Sequence, residues 1–481
     1  MALASAKAPV DELVASLGAI VGPRWVRARV AERRAYEADG LPTHASVPRL
    51  AVLPGSKREV IEIVRLLAHR NVPWVARGAG TGLSGGALAG ENAILIPLTR
   101  LNRILAIDPL RRRATVEPGV VNAKLSEAAA PFGLLYAPDP SSQTACTIGG
   151  NVAENAGGPH CLKYGTTTNH VVALEVLLPD GTIALLGSPH GEPWGPDLVG
   201  LFVGSEGMFG IALEITVRLE PIPATIRTLL ADFSTVRDAT EAVGRIMAAG
   251  IVPAALEMLD QACIKAVEES IYAAGYPTDA AAVLLVELDG AAAAVEAEAS
   301  LAQAILSDHR ARSIRSADNP SERARLWQGR KKAFGAMGRI APDLVVQDAV
   351  VPRSALPEIL ETIAAIGAEY GLTICNVFHA GDGNLHPNIC YDRRDADLTR
   401  RVEAASHAIM TACVSAGGSI TGEHGVGADK IDYMPLIFDP TSLAMMCDVR
   451  RAFDPSGRAN PNKVVPIHSC REWHGKLGFD R

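Results

Sequence analysis

The stretch Arg77–Gly86 reads RGAGTGLSGG and directly follows a short apolar run, Trp74–Ala76. The run predicts a buried strand, and the glycines predict a loop in which the backbone can approach a ligand without side chains in the way. Gly80, Gly82 and Gly85 also satisfy the G-x-G-x-x-G pattern of a dinucleotide-binding Rossmann turn. The pattern alone does not decide between a nucleotide site and a flexible surface turn.

The surroundings of the loop argue against a Rossmann turn. Such a turn leads directly into a helix whose positive end holds the pyrophosphate. Here the loop continues through Gly90 toward a second predicted strand, Ala93–Ile96, and Arg100 and Leu101 stand where an acidic ribose partner is expected. A Walker loop is excluded because no Gly-Lys-Ser/Thr follows. The consecutive backbone amides can still enclose a diphosphate as an anion-binding nest.

Composition indicates a globular protein of two or three domains. The 481 residues include 48% hydrophobic and 21% charged residues, enough to bury a large core. A formal net charge of −7 gives no reason to expect nucleic acid. Any anionic substrate must therefore be held by a local cationic group.

Targeting and membrane signals are weak. The start, Met1–Pro9, lacks the apolar core of a signal peptide, and no apolar run approaches the roughly twenty residues of a membrane span. The eight cysteines form no C-x-x-C pair, which argues against an iron–sulfur cluster or a zinc ribbon in this chain. We expect a cytoplasmic protein without a membrane span.

Hydrophobic periodicity places further elements. Ser56 and Glu59 have the spacing of a capping box and precede a helical pattern of apolar residues that ends before Pro73. Strands are predicted at 114–117, 171–178, 211–219, 282–288 and 373–378. Helices are predicted at 291–302 and 443–453. Pro221 and Pro223 mark a boundary, and the alternation of helices and strands after Arg227 predicts a second, α+β domain.

Two more segments share the glycine-rich character of the first loop. Thr147–Gly158 reads TIGGNVAENAGG and follows Pro138–Ser142, and Gly204–Ile211 reads GSEGMFGI. Small and amide residues at this density suit backbone packed against a flat ring. Three such segments in one chain favour a shared binding site over three independent loops.

The stretch from Asn376 to Asn388, NVFHAGDGNLHPN, carries the sharpest chemical pattern. A four-residue turn at Gly381–Asn384 would make His379 and His386 direct cross-strand neighbours, roughly 5 Å apart at Cβ. Both imidazoles could then bind one cation, and Asn388 shares the face of His386. The alternative is a pair of ordinary histidines hydrogen-bonded to backbone.

A carboxylate for the same cation occurs in Thr421–Gly427, which reads TGEHGVG. Two histidines and Glu423 would leave an open coordination position, as in a catalytic zinc site. Manganese, iron or cobalt would accept the same ligands.

Together these segments resemble the vanillyl-alcohol oxidase/p-cresol methylhydroxylase superfamily of flavoproteins. Within it the chain is similar to the FAD-binding subunits of glycolate oxidase and to D-lactate and D-2-hydroxyglutarate dehydrogenases, from about Pro48 to Pro466. The resemblance implies an α+β fold: a two-subdomain FAD-binding domain of that superfamily and an α+β (ferredoxin-like) substrate domain. We expect an N-terminal helical arm (1–45), the FAD domain (46–224), a substrate domain with the metal site (225–425), a helical segment returning to the FAD domain (426–466) and a tail (467–481).

The resemblance also implies which residues bind FAD. No histidine lies between Arg77 and Gly90, so the flavin is expected to be non-covalent. The implied FAD-binding residues are Arg77, Gly78, Ala79, Gly80, Thr81, Gly82, Leu83, Ser84, Pro138, Asp139, Ser141, Ser142, Thr147, Gly149, Gly150, Asn151, Ala153, Asn155, Glu206, Gly207, Gly210, Ile211 and Asn460.

Catalytic roles follow from the same resemblance. His379, His386 and Glu423 match the family's metal ligands, and His424 matches its catalytic base. Arg330 falls on the arginine that binds the substrate carboxylate, for which a planar guanidinium is well suited, and Asn388 and His424 would also contact substrate. The implied activity is oxidation of a 2-hydroxy acid to the 2-oxo acid by hydride transfer to flavin.

One departure bears on the substrate. Relatives that act on D-2-hydroxyglutarate hold its distal carboxylate with a threonine and a lysine, and these positions fall on Phe334 and about Val346 here. An apolar pocket would leave that second charge unpaired. The sequence therefore favours a short monoacid, glycolate or D-lactate, over D-2-hydroxyglutarate.

Other functions fit parts of the pattern. A metal-dependent hydrolase could use the open coordination position to activate water, and a non-catalytic subunit could carry flavin for electron transfer. The resemblance further implies a second flavin-type subunit and an iron–sulfur subunit as partners, which could hold the chain at the inner membrane.

Overall fold

A computed structural model of the chain describes residues 9–41, 43–190, 195–317 and 319–466. The expected tail, 467–481, lies outside the described residues. The chain divides into two compact units. Unit 1 contains the residues up to Ala156, Thr166–Pro221 and the chain from Glu423 onward, and unit 2 contains Gly157–Gly165 and Ile222–Gly422.

The first sheet of unit 1 carries the glycine-rich loop. Its strands, in the order β1-β2-β4-β3, are β1 (Val26–Arg27), β2 (Leu50–Val52), β3 (Trp74–Arg77) and β4 (Ile94–Pro97). β3 and β4 are parallel neighbours, but residues 78–93 between them form turns and bends without a helix. The expectation that this loop is not a Rossmann turn is therefore confirmed. The accompanying helices are α1 (Val10–Val21), α2 (Val30–Arg33) and α3 (Lys57–His69).

Helix α3 begins as the sequence predicts, with one difference. Ser56 Oγ accepts a hydrogen bond from Glu59 N at 3.3 Å, which caps the helix. The Glu59 carboxylate accepts from Gly55 N at 2.6 Å, not from Ser56 N, so the reciprocal half of the predicted capping box is wrong. Four residues of its apolar stripe are fully buried: Val60, Ile63, Val64 and Leu67.

The second sheet of unit 1 is antiparallel, with the order β5-β6-β10-β8-β9. Its strands are β5 (Ile104–Asp108), β6 (Arg113–Val116), β8 (Val171–Leu177), β9 (Ile183–Gly187) and β10 (Ile211–Arg218), and a small separate pair joins β7 (Leu134–Leu135) to β11 (Glu220–Pro221). The helices of this region are α4 (Asn122–Ala129), α5 (Ile148–Glu154) and α7 (Leu198–Phe202). Helix α6 (Cys161–Tyr164) lies in the segment assigned to unit 2.

Unit 2 is built on a large antiparallel sheet. Its main strand order is β15-β12-β14-β13-β18-β19-β17, and a side branch is formed by β20, which pairs with both β18 and β16. The strands are β12 (Thr225–Phe233), β13 (Ala255–Asp260), β14 (Ala282–Gly290), β15 (Ser313–Ser316), β16 (Asp343–Val346), β17 (Ala349–Val350), β18 (Thr373–His379), β19 (Asn384–Leu385) and β20 (Pro387–Tyr391). The helices are α8 (Val236–Ala248), α9 (Gln261–Glu268), α10 (Ala292–Asp308), α11 (Pro320–Lys331), α12 (Ala333–Met337), α13 (Leu356–Tyr370) and α14 (Ala396–Ser415).

Both faces of the interior strand β14 are buried, and helices α8, α9 and α10 pack against it. One apolar cluster combines Ala255 and Leu259 of β13 with Leu326 and Trp327 of α11. Because side chains two apart on a strand share a face, Glu257 points into this apolar layer. A charged side chain at such a position requires a partner.

The chain returns to unit 1 with α15 (Met434–Ile437) and α16 (Pro440–Phe453). The backbone then reaches the first sheet, where Asn460 N donates to Trp74 O at 2.9 Å. None of the helices in the described ranges is long and apolar enough to cross a membrane.

Candidate active site

The first two glycine-rich segments meet in unit 1. Gly78, the first loop residue after β3, faces the start of α5 so closely that an added Cβ would collide with Thr147 Oγ1 and reach 3.6 Å from Gly150 Cα. Thr147 Oγ1 accepts a hydrogen bond from Gly150 N at 3.2 Å and caps α5. Two stretches of backbone free of side chains therefore lie side by side.

The third segment and the C-terminal chain complete this arrangement. Glu206 N donates to Ala153 O at 2.8 Å, which places the third segment against the end of α5. Asn460 Nδ2 donates to Gly86 O at 2.9 Å and to Glu206 O at 2.5 Å, so one amide joins the first loop to the third segment. Sequence reasoning grouped these segments from composition, and the structure brings them together.

Buried polar groups in this region fit an anionic, ring-bearing ligand. The hydroxyls of Ser84 and Ser205 are buried and have no hydrogen-bonding partner among the described residues. At Gly82 an added Cβ would find the Glu154 carboxylate as its nearest neighbour at 3.8 Å, so the loop backbone borders open space. Unsatisfied buried hydroxyls usually indicate a missing ligand or water. These residues fit FAD.

Other predicted flavin-contacting residues differ in exposure. Pro138 is buried next to α4, and its carbonyl accepts a hydrogen bond from Asn122 Nδ2 at 2.9 Å. Ser141 is exposed. Arg77 is buried and donates to Ala38 O at 2.8 Å, so its guanidinium supports the N-terminal arm.

Charged groups are buried beside the glycine segments. Burial and the nearby Glu206 carboxylate raise the pKa of Glu154 well above its ordinary value. Burial lowers the pKa of Lys463 to about 8, although Glu206 acts in the opposite direction. Lys463 Nζ donates to Leu88 O at 3.0 Å. Buried titratable groups of both kinds, the Glu154 and Glu206 carboxyls and the Lys463 amine, therefore lie near the glycine-rich segments.

The histidine hairpin of unit 2 forms with a different register from the predicted one. His379 pairs directly with Asn384, and the turn covers Ala380–Gly383. The predicted direct pairing of His379 with His386 is therefore wrong by two residues. Because a shift of two keeps the same face, the two rings still meet, with centroids 5.2 Å apart.

A buried carboxylate that the sequence did not single out joins two of the predicted site residues. Glu257 Oε1 lies 2.7 Å from His379 Nδ1, and Glu257 Oε2 accepts from Arg330 Nε at 2.6 Å. The exposed fractions of Glu257, Arg330 and His379 are 0%, 2% and 4%. Burial alone would raise the pKa of Glu257, but Arg330 and His379 outweigh it and lower that pKa. The group is therefore an ionised carboxylate between two donors.

A second carboxylate lies next to the other histidine. Asp348 is fully buried, and its Oδ1 is 3.8 Å from His386 Nδ1. Its Oδ2 accepts from Thr421 Oγ1 at 2.6 Å and from Gly422 N at 3.0 Å. His379 thus has a carboxylate within hydrogen-bonding distance of its Nδ1, as metal-binding histidines commonly do, whereas the Asp348 carboxylate is a nearby charge at 3.8 Å from His386.

Glu423 and His424 follow Gly422 directly, where the chain passes from unit 2 into unit 1. Past them, the Glu206 carboxylate accepts from Val426 N at 2.7 Å and Gly427 N at 2.8 Å. The backbone before Glu423 is therefore held by the carboxylate of Asp348, and the backbone after His424 is held by the carboxylate of Glu206.

The donor set fits a divalent metal. Two buried imidazoles with adjacent rings could supply nitrogen ligands, and the Glu257 carboxylate would orient the ring of His379. Asn388 is fully buried on the same strand and uses Nδ2 to donate to Cys375 O at 3.1 Å, while its Oδ1 has no partner among the described residues. That oxygen is available to a hydroxyl donor.

Sequence reasoning missed Glu257 and Asp348, although each had a local signal. Glu257 is the only charged residue in the apolar run Ala254–Leu259, and Asp348, together with Gln347, interrupts the apolar stretch Leu344–Val351. A carboxylate within a mostly apolar stretch requires buried partners, which marks it for attention.

Phe334 and Val346, the two apolar residues that bear on substrate length, are buried to different extents. Val346 is 9% exposed and pairs directly with Asn388 across β16 and β20, so the two side chains share a face. Phe334 is half-buried at the start of α12.

Two family models match the chain: the FAD binding domain over residues 48–187 and the C-terminal domain of FAD linked oxidases over residues 222–464. The chain belongs to the FAD linked oxidases and is a FAD-dependent oxidoreductase. The predicted fold class, cofactor FAD and enzyme class are confirmed.

Its relatives include the glycolate oxidase subunit GlcD of Escherichia coli strain K12, with 48% identity over 92% of this chain and 90% of the relative. The subunit of the same name from Bacillus subtilis is 40% identical over 92% of this chain and 95% of its own length. A mitochondrial D-lactate dehydrogenase (cytochrome) of Arabidopsis thaliana is 31% identical over 88% of this chain and 75% of the relative.

Solved structures show the same fold at low sequence identity. p-Cresol methylhydroxylase with bound substrate superposes with a TM-score of 0.81 at 17% identity, over 95% of this chain and 97% of that one. The 4-ethylphenol oxidase of Gulosibacter chungangensis gives 0.75 at 19% identity, over 94% and 96%. The expected superfamily resemblance is therefore confirmed for the fold.

Proposed function

We propose that this chain oxidises a short 2-hydroxy acid, glycolate or D-lactate, to the corresponding 2-oxo acid. The main support for the proposal is a buried group of three residues. In it, the carboxylate of Glu257 contacts both the guanidinium of Arg330 and the imidazole of His379. A 2-hydroxy acid presents a carboxylate beside a hydroxyl and needs both kinds of partner. Relatives named for glycolate and D-lactate oxidation support this substrate class.

Arg330 is assigned to the substrate carboxylate. Glu257 engages Nε, and the terminal nitrogens Nη1 and Nη2 form the edge of a guanidinium that binds a carboxylate in bidentate fashion. A buried guanidinium interacts more strongly than an exposed one because water does not screen it. Asn388 is assigned to the substrate hydroxyl through its Oδ1.

His379, His386 and Glu423 are assigned as ligands of a divalent metal, with zinc as the first choice and manganese, iron or cobalt as alternatives. The ring distance of 5.2 Å supports the two histidines. Glu423 is supported by the anchoring of its neighbour Gly422 on Asp348, which itself lies next to His386. Consecutive Cα atoms are only about 3.8 Å apart, so little freedom remains for the Glu423 backbone.

His424 is assigned as the base that removes the hydroxyl proton. A neutral imidazole can accept that proton near neutral pH. The electron pair of the substrate C–H bond leaves as hydride, so loss of one proton and one hydride gives the 2-oxo acid. When bound, FAD supplies the hydride acceptor and the metal supplies positive charge beside the substrate oxygens.

FAD is assigned to the three glycine segments of unit 1 and Asn460, without a covalent bond. Backbone amides of Arg77–Ser84 would hold the diphosphate, and Thr147–Asn155 with Glu206–Ile211 would border the ring and its side chain. The close packing of these segments and the unsatisfied hydroxyls of Ser84 and Ser205 support this assignment.

Electrons must leave the reduced flavin, and a protein partner is the proposed acceptor. Relatives of this chain are named as subunits of glycolate oxidase, which supports a multi-subunit assembly. We assign the partners as a second flavin-type subunit and an iron–sulfur subunit. Co-purification of tagged chain with such proteins from its own host would test this part.

The central experiment is anaerobic mixing of purified protein with glycolate, D-lactate and L-lactate, with flavin absorbance as the readout. We expect bleaching by glycolate or D-lactate and slower bleaching after metal removal. His424→Ala should keep its flavin but bleach about 10²–10⁴-fold more slowly, the usual contribution of a positioned base. Colourless protein that FAD cannot reconstitute would overturn the assignment of the glycine segments to FAD. Flavin that no 2-hydroxy acid reduces would favour an electron-transfer subunit.

A further inference from the structure

We propose that Glu257 is a positioning residue that orients the metal ligand His379 and the substrate-binding Arg330 at the same time. The inference rests on the proposed function, which assigns those two roles. Glu257 is not assigned to contact the substrate, the metal or FAD directly. Its effect would be exerted through the two side chains that it holds.

The geometry gives each oxygen of Glu257 its own partner. Oε1 is 2.7 Å from His379 Nδ1, and Oε2 is 2.6 Å from Arg330 Nε. Glu257 and His379 are direct partners in the antiparallel pairing of β13 with β18, and Arg330 comes from the last turn of α11. The strand register and the helix therefore bring the three backbone positions together, and the contacts with Glu257 set the orientation of the His379 and Arg330 side chains.

The contact with Glu257 determines which nitrogen of His379 can bind a metal. A carboxylate oxygen only accepts hydrogen bonds, so His379 Nδ1 must carry the hydrogen. The lone pair then resides on Nε2 at the opposite side of the ring, where it can be donated to a cation. A carboxylate behind a ligating imidazole also makes the imidazole a stronger donor.

The same contact restrains Arg330. With Nε bonded to Oε2, the plane of the guanidinium is fixed before substrate arrives. A long side chain that is already ordered loses less conformational freedom on binding. Glu257 therefore makes the metal ligand and the carboxylate-binding group depend on one anchor.

The alternative is that Glu257 only stabilises the fold, and the chain offers a matched control for that role. Glu287 is 1% exposed on the adjacent strand β14 and accepts hydrogen bonds from Arg323 Nη2 at 2.7 Å and Trp327 Nε1 at 2.5 Å. It is a buried, ion-paired carboxylate on the same sheet, but its partners are not assigned to the site. Loss of its charge should disturb folding to a similar degree.

The experiment compares Glu257→Gln with Glu287→Gln in the FAD-loaded protein. The side-chain amide introduced by Glu257→Gln would present a donor to either Nδ1 or Nε, so one of the two contacts is lost. Zn²⁺ affinity, measured by competition with a chromophoric chelator, should fall about 10–100-fold in Glu257→Gln, the range seen when the hydrogen-bonding partner of a metal ligand is removed. KM for the acid should rise as well, and Glu287→Gln should stay within about twofold of wild type in both.

The outcomes separate positioning from folding. Wild-type Zn²⁺ affinity in Glu257→Gln would overturn the proposal, as would an equal loss in both variants. If Glu257→Gln does not fold, Glu257→Asp decides, because the shorter chain should weaken Zn²⁺ binding while keeping the charge. The titration does not require turnover. A wild type that binds Zn²⁺ but is reduced by no 2-hydroxy acid would therefore refute the proposed function, while a selective loss in Glu257→Gln would still support this inference.

Discussion

Asp348 Oδ2 accepts a hydrogen bond from the backbone N–H of Gly422 at 3.0 Å. Gly422 directly precedes Glu423, the carboxylate assigned to the metal, and the other oxygen of Asp348 is 3.8 Å from His386 Nδ1. The fully buried carboxylate of Asp348 is thus close to one proposed metal ligand, His386, and is hydrogen-bonded to the residue that precedes another, Glu423.

We therefore expect Asp348→Asn to bind Zn²⁺ about tenfold or more weakly, because the substitution removes the negative charge that lies 3.8 Å from His386 Nδ1. Flavin content, read from absorbance after gel filtration, should stay at the wild-type level. Asp343→Asn, at the start of β16, is the control, since Asp343 accepts from Arg393 N at 3.0 Å near the surface. Equal metal affinity in both variants would contradict the assignment.

The glycine loop offers a test of FAD contact that is independent of folding. Gly82→Ala should leave the free energy of unfolding of the apoprotein nearly unchanged, because the nearest atom to the new Cβ is 3.8 Å away. It should still lower the affinity for FAD, since a methyl group would occupy space that the diphosphate needs. Gly90→Ala, in the same loop with no atom within 4 Å, should change neither quantity. Titration of apoprotein with FAD measures the difference, and equal affinities would place the diphosphate elsewhere.

Glu287 predicts how the stability of the protein depends on pH. Burial opposes its charge, but His160 and Arg323 lower its pKa far below the ordinary value. A carboxylate with a lowered pKa in the folded state contributes stability above its unfolded pKa, about 4.3, and loses it as pH falls further. Glu287→Gln should therefore reduce the free energy of unfolding by about 3 kcal/mol at pH 7.

The gap between the unfolding free energies of wild type and Glu287→Gln should narrow as pH falls below about 4, because the carboxylate of the unfolded chain then takes up a proton while that of the folded protein stays ionised. Urea unfolding followed by tryptophan fluorescence is the measurement, since Trp327 donates directly to this carboxylate. A difference that is the same at about pH 7 and about pH 3.5 would show that packing, not charge, explains the loss.

Much of the fold was predictable because its signals are local. The stripe of α3 and the strands β3, β8, β10 and β18 lie where periodicity and turn residues place them. The assignment of Gly157–Gly165 to unit 2 had no such signal. It depends on long-range pairs such as His160 with Glu287, 127 residues apart.

The site was predictable where its residues are close in sequence. The spacing of His379 and His386 indicated a hairpin, but its register depended on Gly383, which has φ +81° and packs against Val351 O. The observed turn starts at Ala380, one residue earlier than predicted, and this moves the partner of His379 by two residues, from His386 to Asn384. Glu257 is 122 residues from His379, and only the folded sheet brings the two together.

Substrate length gives the last prediction, through Val346. This side chain is 9% exposed and shares a face with Asn388, so a second substrate carboxylate extending there would meet an apolar surface. An unpaired charge in such a place is costly, and we expect kcat/KM for D-2-hydroxyglutarate to be about 100-fold or more below that for the preferred monoacid. Val346→Lys should raise activity on the diacid and so reduce the ratio of kcat/KM for the monoacid to kcat/KM for the diacid. Val345→Lys adds the same charge on the opposite face of β16 and should not change this ratio. Dye-coupled rates with both acids measure the ratio, and a wild type that oxidises the diacid as well as the monoacid would overturn the placement of the distal carboxylate at Val346.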